Sequence, residues 1–203
     1  MLLAMNESTT ISSSDALIIV DPQKDFVFPD GALYVKGVHG DEKVEDVIVN
    51  IVLLGKKPFG YVAITMDRHP ETHIEYTIHP KHCVEGTSGQ YMIDEIAHEF
   101  CSDSVDILHK GGQANVIVYS VAFSPLFDAH LYRMRMLGIK RVFLVGWAYD
   151  FCVGESSIAY KGQGFEALIV TDAVRSVDEV TAFDMDSKLA VYKVDHVRMN
   201  QLR

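Results

Sequence analysis

The sequence predicts an α/β protein: three layers, α/β/α, around a central, mainly parallel sheet of about six strands. Two observations carry that expectation. Short β-branched and aromatic runs without polar alternation recur along the chain, as in strands buried on both faces. Helical patterns separate them, which is the spacing of βαβ units.

Taken in order, the strands are expected at Ala16 to Val20, Tyr61 to Met66, Val105 to Leu108, Arg141 to Val145, Ala167 to Thr171 and Ala190 to Val194. The helices between them are expected at Val44 to Leu54, Tyr91 to Phe100, Leu126 to Leu137, Val153 to Lys161 and roughly Val177 to Ser187. Gly138 stops the third of these, and Gly162 and Gly164 stop the fourth. Met1 to Ser14 is short, lacks a basic n-region and ends in Ser/Thr-rich sequence. It reads as a disordered leader over 1–14, followed by a single domain over 15–203.

Composition narrows the function. The 203 residues are 48% hydrophobic, enough to bury a substantial core. A formal charge of -10, with no Lys/Arg cluster to offset it, argues against nucleic acid and anionic membranes as partners and favours a small molecule. No apolar run approaches transmembrane length. Three cysteines, Cys83, Cys101 and Cys152, are too few and odd in number for a disulfide framework, so a reducing, cytoplasmic location is expected.

In parallel sheets ligands bind outside the carboxyl ends of the strands. There this chain places Asp21 after the first strand, Asp67-Arg68-His69-Pro70 after the second, His109-Lys110-Gly111 after the third, and Gly146 to Gly154 after the fourth. Cys152, in the last of these, enters a helix N-terminus, where the backbone dipole favours a thiolate. A buried, inert cysteine is the alternative. An acid, a lysine and a thiol on one sheet edge form an amidase set: the carboxylate takes the thiol proton and returns it to the leaving nitrogen, while the ammonium holds the pair in register. Each alone has a bland reading as a turn cap or solvated charge, and their joint placement on one edge weakens those readings.

His69, His73, His79 and His82 lie within fourteen residues, among carboxylates. Asp67 and His69, two apart at a strand end, can face one side, and His79 or His82 would complete a facial metal set; His82 is assigned here. His69-x-x-x-His73 is not half of a zinc-protease helix, because Pro70 opposes helix and no Glu directly follows His69. His73 and His79 are assigned structural or rim positions. Glu75 is left as a fourth ligand, a base holding a water, or an exposed residue.

These residues bring a family into view. From about Leu17 to Val177 the sequence resembles the nicotinamidases (pyrazinamidases), within the isochorismatase-like cysteine hydrolases. The matching pieces are Val20-Asp21-Pro22-Gln23-Lys24-Asp25-Phe26, Asp67-Arg68-His69-Pro70, Pro80 to Gly89, Lys110-Gly111, Tyr119-Ser120-Val121-Phe123 and Asp150-Phe151-Cys152-Val153. The resemblance implies an Asp21, Lys110 and Cys152 triad, and one divalent ion, zinc with iron or manganese as alternatives, on Asp67, His69 and His82. It also implies a cis peptide before Ala148, an oxyanion hole from the N–H groups of Ala148 and Cys152, and Phe26 in the ring pocket. The activity implied is hydrolysis of nicotinamide to nicotinate and ammonia through a Cys152 thioester, serving NAD salvage. Other readings are an isochorismatase-like hydrolase of another small amide or carbamoyl substrate, or a catalytically idle binding member. Members are often homo-oligomers, and Leu131 to Leu137 offers either an interface or simply a core face. Arg68, His79, Val121 and Tyr149 depart from the family pattern and leave the pocket rim open.

Overall fold

A computed structural model describes residues 8–38, 43–102 and 104–203. Six strands form one sheet: β1 (Asp15–Val20), β2 (Tyr61–Asp67), β3 (Asp106–Lys110), β4 (Arg141–Trp147), β5 (Glu166–Arg175) and β6 (Asp195–Val197). Every pairing is parallel, in the order β3-β2-β1-β4-β5-β6. The helices are α1 (Lys24–Val27), α2 (Val44–Gly55), α3 (Asp94–Phe100), α4 (Phe127–Met136), α5 (Gly154–Gly162) and α6 (Glu179–Tyr192).

Side-chain alternation along the buried strands builds the layers. Ala16, Ile18 and Val20 of β1 with Val142 and Leu144 of β4 face α4, α5 and α6, meeting Leu131, Met134, Tyr160 and Leu189. Leu17, Ile19, Phe143 and Val145 face the other way, onto Val47, Ile51 and Leu54 of α2 and Ile96 and Phe100 of α3. The three-layer α/β/α expectation is borne out, and successive strands run outward from β1 in both directions. The crevice where that direction reverses opens between the carboxyl ends of β1 and β4.

Three expectations need correction. The sixth strand is Asp195–Val197, not Ala190 to Val194. Ala190 to Tyr192 is the last turn of α6, which Lys193 closes in the left-handed conformation at φ 57. The apolar run belongs to a helix end: Leu189 and Val194 are buried, whereas Val191 is 77% exposed. Part of the assigned leader is ordered. The N–H groups of Thr9 and Ile11 donate to Gln201 and Arg203 carbonyls at 2.7 and 2.8 Å, and Ile11 is buried, while residues 1–7 lie outside the described residues. Finally, the apolar stretch on α4 divides, with Leu131 and Met134 in the core and Tyr132, Met136 and Leu137 exposed. Among the described residues, no helix is long and apolar enough to cross a membrane.

Candidate active site

Four adjacent strands each end in one reactive group. Asp21 follows β1, Asp67 ends β2, Lys110 ends β3, and beyond β4 a π-helical turn, Tyr149–Val153, presents Cys152 ahead of α5. Lys110 is the hub. Its Nζ lies 2.8 Å from Asp21 Oδ2, 2.5 Å from Asp67 Oδ1 and 3.4 Å from Cys152 Sγ. All four side chains are buried.

Each is held from elsewhere in the fold. Asp21 sits at φ 47, a left-handed conformation that Asp tolerates better than most residues. Its N–H donates to Thr65 O at 3.0 Å, and Thr65 Oγ1 donates to its Oδ1 at 2.7 Å. The N–H groups of Phe151 and Val153 close the Cys152 turn on Ala148 O, at 3.1 and 3.0 Å. The Asp150 carboxylate, accepting from Val177 N–H, Asp178 N–H and Thr181 Oγ1, ties that turn to the start of α6. The Trp147–Ala148 peptide is cis.

Charge follows burial. Burial by itself would lower the Lys110 pKa, but Asp21, Asp67 and Cys152 hold it well above the ordinary lysine value. Burial opposes ionisation of Asp67 as well, yet Lys110 and His69 hold its carboxyl well below the usual range. Asp21 moves up, because burial and the Asp67 charge outweigh Lys110. Burial also pushes the Cys152 thiol well up, against the pull of Lys110 and reinforced by Asp21 and Asp67. Burial thus works against the helix N-terminal dipole, which favours a thiolate. The thiol stands beside the Asp21 carboxyl group, placed to receive its proton.

The second cluster shares Asp67. Ligand atoms of Asp67, His69 and His82 lie within 4.8 Å of one another, all buried. His69 Nδ1–H donates to Gly111 O at 3.0 Å and His82 Nδ1–H to Pro80 O at 2.8 Å. A carbonyl only accepts, so Nδ1 carries a proton in both rings, and the Nε2 atoms face the cluster. Burial pushes the His82 pKa down to about 4, keeping that ring neutral. Glu75 is not exposed. Its carboxylate reaches within 3.8 Å of Nε2 of both His69 and His82. Burial and the Asp67 charge push its pKa up to about 7. Among the described residues His69 Nε2 and Glu75 Oε2 lack hydrogen-bond partners, as donor atoms turned toward a cation would. His73 stands behind, its Nδ1 accepting from Glu75 N–H at 3.3 Å and its ring 4.4 Å from that of His69.

Ala148, Cys152 and Asp67 border a pocket of about 60 Å³, together with Glu75, His79, His82 and Tyr119. Its apolar wall is Phe26, Leu33, Val35, Phe151 and Val177, and the Phe26 ring lies 5.4 Å from His82. A mostly apolar wall with a few convergent polar groups is the lining of a small-molecule site. Of the four departures from the family pattern, His79 alone borders the pocket. Arg68 faces outward onto Glu85, and Val121 and Tyr149 are in the core.

Sequence reasoning missed Gln23, Leu33 and Val35. Gln23 accepts from Asp67 N–H at 2.7 Å and donates to Asp67 O at 2.7 Å, clamping the residue both clusters share. An amide two residues after the strand-end acid Asp21 was the available signal, and its side chain is fully buried. Leu33 and Val35 belong to a loop with no periodicity to read.

Residues 15–191 match the model of the isochorismatase domain, and the chain belongs to the isochorismatase family. Its relatives narrow the resemblance. The nicotinamidase of Saccharomyces cerevisiae is 26% identical, with 80% of this chain and 88% of that protein covered. The nicotinamidase of Acinetobacter baylyi is 28% identical, covering 80% and 82%. Among solved structures, PnC1 from L. infantum in complex with nicotinate superposes with a TM-score of 0.83 at 28% identity, covering 97% of this chain and 98% of that one. The likeness to nicotinamidases drawn from the sequence is borne out.

Proposed function

We propose that this chain hydrolyses nicotinamide to nicotinate and ammonia. One observation carries the proposal: a single small pocket is bordered both by Cys152, beside the Lys110-centred acid, and by Asp67 and His82 of the metal-type cluster. The nicotinamidase relatives support the same substrate.

Asp21 accepts the Cys152 proton as sulfur attacks the carboxamide carbon, and the Lys110 ammonium, 3.4 Å away, offsets the charge developing on sulfur. The N–H groups of Ala148 and Cys152 receive the oxyanion. Asp21 returns its proton to the departing ammonia, then takes one from the water that cleaves the thioester. Asp67, His69 and His82, with Glu75 as a fourth donor, fit one divalent cation, which when bound supplies a Lewis acid toward the ring nitrogen. Mixed carboxylate and imidazole donors suit zinc, iron or manganese. The free thiol fits a reducing, cytoplasmic setting and a role in recycling nicotinamide toward NAD; Cys83 and Cys101 are likewise unpaired.

Ammonia release from nicotinamide by the purified protein tests the proposal. A folded, metal-loaded sample that releases none transfers the activity to another small amide or carbamoyl compound. Chelation is expected to abolish turnover, with recovery on adding back zinc, iron or manganese; full activity after complete removal, followed by metal analysis, would refute a role for the cluster.

Gly111 supplies a finer check. It sits at φ +76, and a Cβ there would fall 2.4 Å from His69 Cε1. Gly111→Ala must therefore displace the His69 ring or its carbonyl partner, and should weaken metal affinity roughly 10–100-fold. Titration of the metal-free protein by calorimetry measures this, and an unchanged affinity would show that His69 is not a ligand.

A further inference from the structure

Arg175 closes β5 and is 6% exposed, yet its Nε has no hydrogen-bond partner among the described residues. A guanidinium taken out of water without compensation is costly, so what surrounds it matters. Among the described residues, Tyr34 and Gly37, of the segment from Gly31 to Gly37, lie against it. The Tyr34 ring centroid lies 5.7 Å from Arg175 Cζ. Gly37, at φ +78, lies directly against the same group: a Cβ there would fall 2.6 Å from Nε and 2.8 Å from Nη2. The segment is tied along its length, by Leu33 N–H to Asp25 O at 3.1 Å, Val35 N–H to Phe26 O at 2.9 Å and Gly37 N–H to Ser176 O at 3.1 Å. Two of its side chains, Leu33 and Val35, form part of the apolar pocket wall beside Phe26.

We infer that Arg175 is a positioning residue for substrate affinity. Through the Tyr34 ring and the bare backbone of Gly37, its flat guanidinium holds this strap down, and the strap holds Leu33 and Val35 against the substrate. Arg175 itself does not border the pocket and takes no part in the bond-making steps. A lysine would keep the charge but lose the planar face that Tyr34 and Gly37 meet. The inference rests on the pocket being the nicotinamide site, so its test includes one measurement that needs no substrate.

Tyr34→Leu, Tyr34→Phe, Arg175→Met and Arg175→Lys are compared in a Cys101→Ser background, which removes the exposed thiol. Tyr34→Leu and both Arg175 variants should raise the KM for nicotinamide by about tenfold, with kcat within about twofold of the parent, while Tyr34→Phe keeps the parent KM. In parallel, alkylation of Cys152 by iodoacetamide, followed by peptide mass spectrometry, should be faster in Tyr34→Leu and unchanged in Tyr34→Phe, because a loosened strap opens the wall. If Arg175→Met fails to fold, the Tyr34 pair still decides. A Tyr34→Leu variant with parental KM and parental alkylation rate would overturn the inference, as would equal effects of Leu and Phe. A parent protein that does not act on nicotinamide, but whose Tyr34 variants alkylate as described, would retract the substrate and retain the role of Arg175.

Discussion

Cys152→Ala should abolish ammonia release, a loss of at least about 10⁴-fold, while leaving the pocket able to bind nicotinamide. No neighbouring group can replace the sulfur: the other nucleophile-like side chains at the site are carboxylates, Asp21 and Asp67 held by the Lys110 ammonium and Glu75 among the imidazoles of His69 and His82. Removing one sulfur atom from a buried position costs about 1 kcal/mol, so the fold should survive. Binding can be followed through the fluorescence of Trp147, the sole tryptophan, which directly precedes Ala148 in the pocket floor. Cys152→Ser should be nearly as inactive, since its hydroxyl proton is far harder for Asp21 to remove than that of a thiol. Substantial turnover by the alanine variant would rule out the thioester.

The second large effect concerns Lys110. Lys110→Met removes the cation from between two carboxyl groups, Asp21 at 0% and Asp67 at 3% exposure. Breaking a buried ion pair from one side leaves uncompensated charge and costs about 3–5 kcal/mol. For a domain of this size that corresponds to a fall of roughly 10 °C in Tm. Turnover should vanish as well, because the developing thiolate loses the only ammonium beside it among the described residues. Thermal melts and ammonia assays on the same preparation separate the two consequences. A variant melting with the parent would mean that Lys110 is not what keeps the two acids buried.

Much of the site was legible because it depends on topology. Once β1, β2, β3 and β4 are read as parallel, Asp21, Asp67, Lys110 and the turn before Cys152 must share one edge, whatever the details of packing. Other features depend on what meets in three dimensions. The setting of the Cys152 thiol is one: the dipole of its own helix is a local property, whereas burial beside two carboxylates, which works against it, is not. Glu75 is another, since nothing in a histidine-rich loop says which acid turns inward. The sixth strand was misplaced because Ala190 to Val194 suits either a strand or a helix end, and length alone could not arbitrate. Leu33 and Val35 belong to a strap whose place is set by Arg175, about 140 residues further along the chain.

Asp21, Asp67, Lys110 and Cys152 come from four neighbouring strands, β3-β2-β1-β4, one group each. Under the proposed function, activity is therefore expected to report on strand register. A two-residue slip of any one strand keeps every side chain on its proper face, and so preserves much of the hydrophobic pattern, but it moves that strand's reactive group by about 6.6 Å. Hydrophobic burial tolerates such an error more readily than the Lys110 contacts do. The geometry of the candidate site discriminates among folds that the core alone would accept.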